Sequence, residues 1–262
     1  MYQHMRVAVV VPAFNERRAI VPTVATVPAF IDRVIVVDDA SRDDTGAQAQ
    51  VGAAQRGGVV DVLRHATNRG VGAAIATGYR HAFEHGADVA VVMAGDGQMD
   101  PADLPALLDP IAAETADYVK GNRFLHPAIW TTMPPARIVG NVLLSAATRV
   151  TSGYRHVFDS QCGYTAITRS AFEGITGEVW GRYGYPNDLL ARLHVAGVRV
   201  VDVPVRPIYG EAWKSGLAIG NVLRTFPRLL LRTWATRVVA ERAGRREIPP
   251  ADRRAPLAAI AP

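Results

Sequence analysis

Four short runs dominated by valine, over residues 7–11, 34–37, 59–63 and 89–93, constrain this chain more than any other feature. Each is strand-sized. Stretches of helical character follow the first three, at residues 17–26, 45–56 and 70–85. Runs with little polar alternation belong to strands covered on both faces. Strands alternating with helices predict an α/β domain with a mostly parallel central sheet flanked by helices. In such a sheet, ligands bind beyond the carboxyl ends of the strands. The polar residues gather at those ends: Asn15 and Glu16 after the first run, Asp38 and Asp39 after the second, Asp96 after the fourth.

These residue types suit a nucleotide. A carboxylate at the tip of the second strand can accept hydrogen bonds from a base N–H or a ribose hydroxyl. The local alternative is that Ser41 or Asp43 caps the next helix. Asp96-Gly97-Gln98 places two oxygen ligands on a glycine-containing turn, as a hard divalent cation on a diphosphate requires. Its alternative is a plain strand-to-helix turn, with Asp100 capping at Pro101. Asn68-Arg69-Gly70-Val71-Gly72 precedes a helix, where backbone N–H groups can approach an anion. Close packing of that helix explains the glycines equally well.

The second half is less regular. Residues 117–120 read as a strand followed by Gly121-Asn122-Arg123, and residues 137–150 as a helix. A polar segment spans 158–163, and 164–168 is strand-like. Residues 187–196 form a helix capped by Asn187, and 199–205 an edge strand with Pro204 near its end. The reading is one domain, with the sheet in the first half and the acceptor side in the second.

A single cysteine, Cys162, forbids an intrachain disulfide. No apolar run reaches the length of a membrane span, and no signal peptide opens the chain. Cytoplasmic location is the expectation, with peripheral attachment to the inner face of a membrane. From Arg199 to Arg254, twelve Lys and Arg stand against five Asp and Glu, while the rest of the chain is slightly acidic. A basic quarter suits an anionic surface; its alternative is a solvated arginine face. No nucleic-acid recognition motif supports a nucleic-acid partner. The first strand is followed by no Gly-x-Gly-x-x-Gly, which excludes a dinucleotide oxidoreductase. His65, His81 and His194 show no metal-ligand spacing.

Four segments in order carry a resemblance: Pro12-Ala13-Phe14-Asn15-Glu16; Val37-Asp38-Asp39-Ala40-Ser41 through Asp44-Thr45; Asn68-Arg69-Gly70 through Ala73; and Gly95-Asp96-Gly97-Gln98 with Pro101. Together they resemble the motifs of family 2 glycosyltransferases, nearest to the dolichyl- or polyprenyl-phosphate sugar synthases. The resemblance spans about residues 6–215. It implies the GT-A fold and inverting transfer from a UDP- or GDP-sugar to polyprenyl phosphate or another lipid-linked acceptor. The alternatives are a soluble or glycan hydroxyl acceptor, or donor binding without turnover.

The resemblance also implies residue roles. Pro12, Ala13, Asn15, Glu16, Asp38, Asp39, Asn68, Arg69, Gly70, Gly95 and Asp96 would bind the donor, with Asp39 on the base. Asp96 and Gln98 would hold Mg²⁺ or Mn²⁺; Ala94 stands where the family usually carries a further acid. Arg123 would face the reacting phosphates. Asp159, Gln161 and Gly163 would shape the acceptor side, and Lys214 would close over the donor. Asp188 matches a position where many members keep an acid. It is either a catalytic base or a complement to its helix dipole.

Residues 216–243 read as amphipathic helices interrupted at Pro227. Leu223, Phe226, Leu230, Trp234 and Val238 recur at helical spacing beside Arg224, Arg228 and Arg232. Such a face suits a membrane surface bearing a lipid-linked acceptor. Its alternatives are packing on the catalytic domain or a homodimer contact. Residues 244–262 read as a disordered tail.

Overall fold

The structure, a computed structural model, describes residues 1–209 and 219–243. In chain order its elements are β1 (Val7–Ala13), α1 (Ile20–Ala25), β2 (Arg33–Asp38), α2 (Thr45–Arg56), β3 (Val59–Arg64), α3 (Val71–Glu84), β4 (Val89–Val92) and α4 (Leu104–Ala112). There follow β5 (Tyr118–Asn122), α5 (Ile129–Thr132), α6 (Pro135–Ser152), β6 (Thr165–Thr168), α7 (Arg169–Glu173), α8 (Tyr185–Val195), β7 (Val200–Pro204) and α9 (Ile219–Arg242). The strands form one sheet in the order β3-β2-β1-β4-β6-β5-β7. Only β6 opposes the rest, pairing antiparallel with β4 and β5.

The valine runs become β1 to β4, and β1 is buried along its whole length. Alternate residues feed two cores. Val7, Val9 and Val11 pack with Ile20, Val24, Leu104 and Leu107 on one face. Ala8 and Val10 pack with Ala74, Ile75, Leu189 and Leu190 on the other. Helix α3 lies so close to β1 that a Cβ at Gly78 would stand 2.2 Å from Val10 Cγ1.

Several expectations need correction. The sheet is not confined to the first half, because β5, β6 and β7 extend it without a break. Helix α4 escaped notice because Pro105 and Pro110 interrupt its pattern, although its Leu104, Leu107 and Leu108 are buried. Asn187 does not cap α8: it is buried in the first turn and donates to Thr148 Oγ1. Helix α9 runs through Pro227. It packs on the catalytic body, with Phe226, Leu229 and Thr233 buried, so the expected apolar stripe is partly spent inside the protein. Lys214 and the segment 244–262 lie outside the described residues. Among the described residues, no helix is long and apolar enough to cross a membrane.

Candidate active site

The tip of β1 organises the candidate site. Asp39 N–H donates to Ala13 O (2.9 Å) and Gly95 N–H donates to Pro12 O (3.1 Å), so the loops after β2 and β4 flank the same strand end. Asp39 and Asp96 therefore share one edge of the sheet. A Cβ at Gly95 would lie 3.2 Å from both Pro12 O and Ala13 Cβ, which explains the glycine there. The loop after β1 is laced to the loop after β2. Asn15, at φ +59°, accepts from Arg42 N–H (2.8 Å) through its side-chain oxygen. Its own N–H donates to Ser41 Oγ (3.0 Å), and Glu16 N–H donates to Thr45 Oγ1 (2.8 Å).

Neither acid of the Asp38-Asp39 pair is open. Asp38 is fully buried, accepting from Ser41 N–H (2.8 Å) and Arg64 Nη1 (2.7 Å). Asp39 is also buried. It accepts from Arg69 N–H (2.9 Å), Gly70 N–H (2.7 Å) and His65 Nδ1 (2.6 Å). The anion held at the start of α3 is thus the chain's own carboxylate. Asn68 donates to Asp39 O at 3.3 Å. At the segment expected to approach a phosphate, Asn68, Arg69 and Gly70, two of the amides are taken by Asp39, and the glycines there are closely packed. A Cβ at Gly70 would meet Gly181 O at 2.5 Å, and one at Gly72 would meet Trp180 O at 2.2 Å. The local alternative for the helix start holds in part. Asp43 accepts from Thr45 N–H (3.0 Å), as Asp100 does from Ala102 N–H (2.9 Å).

Glu16 and Asp96 are only partly buried. Burial, then the negative charges of Asp96 and Asp43, push Glu16 up to about 7. Burial also raises Asp96, against hydrogen bonding around Gln98 and the charge of Arg137. The Asp96 carboxylate accepts from Gln98 N–H (3.1 Å) and from Gln98 Nε2 (2.8 Å). Burial raises the Tyr183 phenol, and the charges of Asp96 and Glu16 add to the shift. Among the described residues there is no cluster of three or more His, Cys, Asp or Glu able to hold a metal. Mg²⁺ and Mn²⁺ on a pyrophosphate need only one or two protein oxygens, with phosphates and water completing the shell. Two carboxylates raised by burial, Glu16 also by the charge of Asp96, fit that arrangement; the described residues build no preformed cage.

A second group of residues is cationic. Arg123 grips Asp159 in a fork, with Nε to Oδ2 at 2.8 Å and Nη2 to Oδ1 at 2.7 Å, and donates from Nη1 to Tyr209 Oη at 3.1 Å. Burial pushes the Asp159 carboxyl up, but the Arg123 charge and hydrogen bonds hold it below its ordinary value. Arg137, in the first turn of α6, lies over the Tyr209 ring at 5.2 Å. It feels the charges of Arg123, Asp159 and Asp96. Lys120 on β5 is fully buried, donating to Phe158 O (2.8 Å), Gly121 O (3.2 Å) and Asp159 O. It thereby fixes the turn at Asp159, where φ is +50°. Gln161 donates to Ser160 Oγ (3.0 Å), and Gly163 sits 3.5 Å, measured from an added Cβ, from Tyr185 Oη. Sequence reasoning missed Lys120, Arg137, Tyr183 and Tyr209. Only the absence of any acid between Tyr118 and Phe158 marks that stretch as unusual.

Asp188 is fully buried. It accepts from Trp180 N–H (2.9 Å) and Arg192 Nε (2.8 Å), and Arg232 Nε of α9 lies 3.7 Å away. Both hydrogen bonds fall on Oδ2, and the buried Oδ1 accepts none; enclosed and beside two guanidinium groups, the carboxylate has the surroundings of a brace. A cavity of about 180 Å³ lined by Arg6, Asp32, Arg33 and His85 lies at the amino ends of β1 and β2, remote from these groups.

The profile described as Glycosyl transferase family 2 matches residues 8–176. The chain belongs to glycosyltransferase family 2. This glycosyltransferase is 32% identical over 236 residues to the UDP-N-acetylglucosamine–dolichyl-phosphate N-acetylglucosaminyltransferase of Methanococcus voltae, covering 85% of this chain and 94% of that one. It is 33% identical over 233 residues to the undecaprenyl-phosphate mannosyltransferase of Micrococcus luteus, covering 84% and 91%. Its fold matches the glucosyl-3-phosphoglycerate synthase of Mycobacterium tuberculosis, solved with Mn²⁺, UDP-glucose and phosphoglyceric acid. There the TM-score is 0.63 at 21% identity, over 88% of this chain and 80% of that one. The sheet and its flanking helices are the GT-A fold.

Proposed function

We propose that this glycosyltransferase moves a sugar, with inversion, from a UDP- or GDP-sugar to the phosphate of a polyprenyl phosphate. The observation that carries this reading is the division of charge around the site. Glu16 feels the charge of Asp96, Arg123 donates to Tyr209, and Arg137 feels the charges of Arg123, Asp159 and Asp96. Asp38, Asp39, Asp159 and Asp188 are all engaged by donors within the protein. An acceptor hydroxyl would need a base to take its proton. An acceptor phosphate is already ionised and needs only a cationic seat. Both named relatives act on lipid phosphates by their names.

The chain's residues divide the work. An acceptor phosphate oxygen attacks the anomeric carbon, and the carbon–oxygen bond to the donor diphosphate breaks. The leaving nucleoside diphosphate keeps the electron pair, so no proton moves. Asp96 and Glu16, with the Gln98 side chain, would hold Mg²⁺ or Mn²⁺ against the pyrophosphate. That ion would supply charge neutralisation of the leaving group. Arg123, fixed by Asp159, and Arg137 would stabilise charge on the reacting phosphates. Asp39 acts on the donor by shaping the loops around the pocket.

A hydroxyl acceptor is the second reading, favoured by Glu16 alone, whose value near 7 suits a general base. Purified protein with labelled UDP- and GDP-sugars, Mn²⁺, and either a polyprenyl phosphate or the matching polyprenol decides between them. The expected result is one donor turned over with the phosphate and none with the alcohol. Transfer to the alcohol at equal rate would refute the phosphate reading. Asp96→Ala is expected to lower kcat/KM by about 10²-fold or more.

A further inference from the structure

Lys120 puts an ammonium where a central strand ordinarily holds an apolar side chain. It shares a face of β5 with Tyr118, which packs in the core with residues of α3 and α8, and it is fully buried. A buried charge is costly, and an apolar residue of similar volume in its place is often neutral or stabilising. Packing therefore does not account for the lysine; its contacts do. The Nζ donates to Phe158 O (2.8 Å), Gly121 O (3.2 Å) and Asp159 O. Asp202 stands opposite Lys120 in the register of β5 and β7. It accepts from Phe158 N–H (2.6 Å) and from Asn122 Nδ2 (2.9 Å). The turn at Phe158–Asp159 is thus gripped at one N–H by Asp202 and at two carbonyls by Lys120. That turn needs holding, because Asp159 adopts φ +50°, a conformation uncommon for a residue with a side chain.

We infer that Lys120, together with Asp202, is a positioning residue for transfer: it fixes the Asp159 turn and, through Asp159, sets where the Arg123 guanidinium stands. Lys120 does not act on substrate itself, since it is fully buried and its three donors all go to carbonyls. Its effect passes through one carboxylate. Asp159 accepts from Arg123 N–H (2.9 Å), Nε (2.8 Å) and Nη2 (2.7 Å). A guanidinium forked in this way has little freedom of its own and goes where the turn goes. The only other side-chain bond of Arg123 among the described residues runs from Nη1 to Tyr209 Oη (3.1 Å). Misplacement of a reacting group's partner by about 1 Å costs about 10²-fold in rate. Resting on the role proposed above for Arg123 at the reacting phosphates, this geometry makes the lysine a determinant of kcat, while the loops at Asp39 and Asp96 that would hold the donor lie outside its reach.

The test uses the full chain, Lys120→Met, Arg123→Lys and the double variant. Rates per folded molecule are measured with Mn²⁺, the accepted UDP- or GDP-sugar and a short isoprenyl phosphate. The NMR signal of the Arg123 Nε–H is followed beside them. Lys120→Met is expected to lower kcat by about 10²-fold with the donor KM within about threefold of the wild type. The Arg123 signal is expected to shift and broaden as the fork loosens. Arg123→Lys keeps a cation but loses the fork, so in that background Lys120→Met is expected to change kcat by less than about threefold. Losses that multiply in the double variant overturn the inference, as does an Arg123 signal unchanged by Lys120→Met. Lys120→Arg, whose planar group cannot meet all three carbonyls, is expected to recover only part of the rate. Where Lys120→Met does not fold, Lys120→Arg carries the same measurements, and a rate and signal equal to the wild type overturn the inference. If the signal is lost in the variant but the wild type turns over no isoprenyl phosphate, the positioning of Arg123 stands and the acceptor reading falls.

Discussion

Glu16 shows how a single residue reports on its site. Its value of about 7 in the folded chain lies above the roughly 4.3 of an unfolded glutamate. Ionisation therefore costs the folded state more than the unfolded one. The favourable contribution is complete below the unfolded value and is lost as pH rises through about 7. Glu16→Gln is expected to raise Tm by about 2 °C near pH 8 and to leave it unchanged near pH 4, the half-buried position tempering the size. Binding of UDP with Mn²⁺ is expected to tighten as pH rises through about 7 in the wild type and to lose that dependence in the variant. Thermal shifts across pH, with and without ligand, measure both; identical profiles for the two proteins would remove Glu16 from the cation site. Glu16 and Asp96 stand out in the sequence because each closely follows a buried valine run. Lys120, Arg137 and Tyr209 do not, because their partners are distant in the chain. Arg123 meets Tyr209 across 86 residues and Asp159 across 36. A lysine inside an apolar strand carries no local sign that three carbonyls await it. At Asp39 the sequence does not decide, since a carboxylate that braces a loop and one that grips a base look alike there.

Between elements, glycines record where the backbones approach. A Cβ at Gly78 on α3 would overlap Val10 of β1 at 2.2 Å, whereas a Cβ at Gly140 on α6 meets nothing within 4 Å. Gly78→Ala is expected to cost about 1–3 kcal/mol by overpacking. Gly140→Ala is expected to add about 0.5–1 kcal/mol through helix propensity. Chemical denaturation of the two variants checks both signs, and a destabilised Gly140→Ala would mean that α6 packs more tightly than its surroundings show. The same two helices mark what pattern can and cannot say. Period gave α3 and α6 to within two or three residues, because the spacing of apolar residues fixes a helix. Phase is another matter. In α3 the apolar face turns inward, with Ile75, Tyr79, Ala82 and Phe83 buried. In α6 it turns outward, with Val139, Leu143 and Val150 exposed. The helical pattern is alike in both, and only the polar sockets waiting at Ser160 and Asn187, which meet Ser145 and Thr148, decide which side of α6 is held.

Across the whole molecule, Asp188 joins three parts that are separate in sequence: the segment at Trp180, helix α8 through Arg192, and helix α9 through Arg232. Arg232 also lies over the Trp180 ring at 5.4 Å and donates to Glu178 O at 3.4 Å. The segment at Trp180–Gly181 in turn packs on Gly70 and Gly72, whose loop is held by Asp39. A chain of contacts thus runs from α9 to the base of the candidate donor site, which is why the last described helix behaves as part of the catalytic body. This distinguishes a brace from a base. Losing a catalytic base costs about 10²–10⁴-fold in rate with little change in folding. Removing one partner of a buried ion pair costs about 3–5 kcal/mol of stability, because the remaining charges are left without compensation. Asp188→Asn keeps an acceptor for Trp180 N–H but strips the counter-charge from Arg192 and Arg232. It is therefore expected to lower Tm by several degrees while each folded molecule keeps kcat within about tenfold of the wild type. Replacing Arg232 by Met in the same background should cost less than it does in the wild type, since its charge no longer has a partner there. Calorimetry with rates normalised to folded protein separates the outcomes. A stable Asp188→Asn protein with turnover reduced a thousandfold would return Asp188 to the reacting atoms, and would require the acceptor to be a hydroxyl.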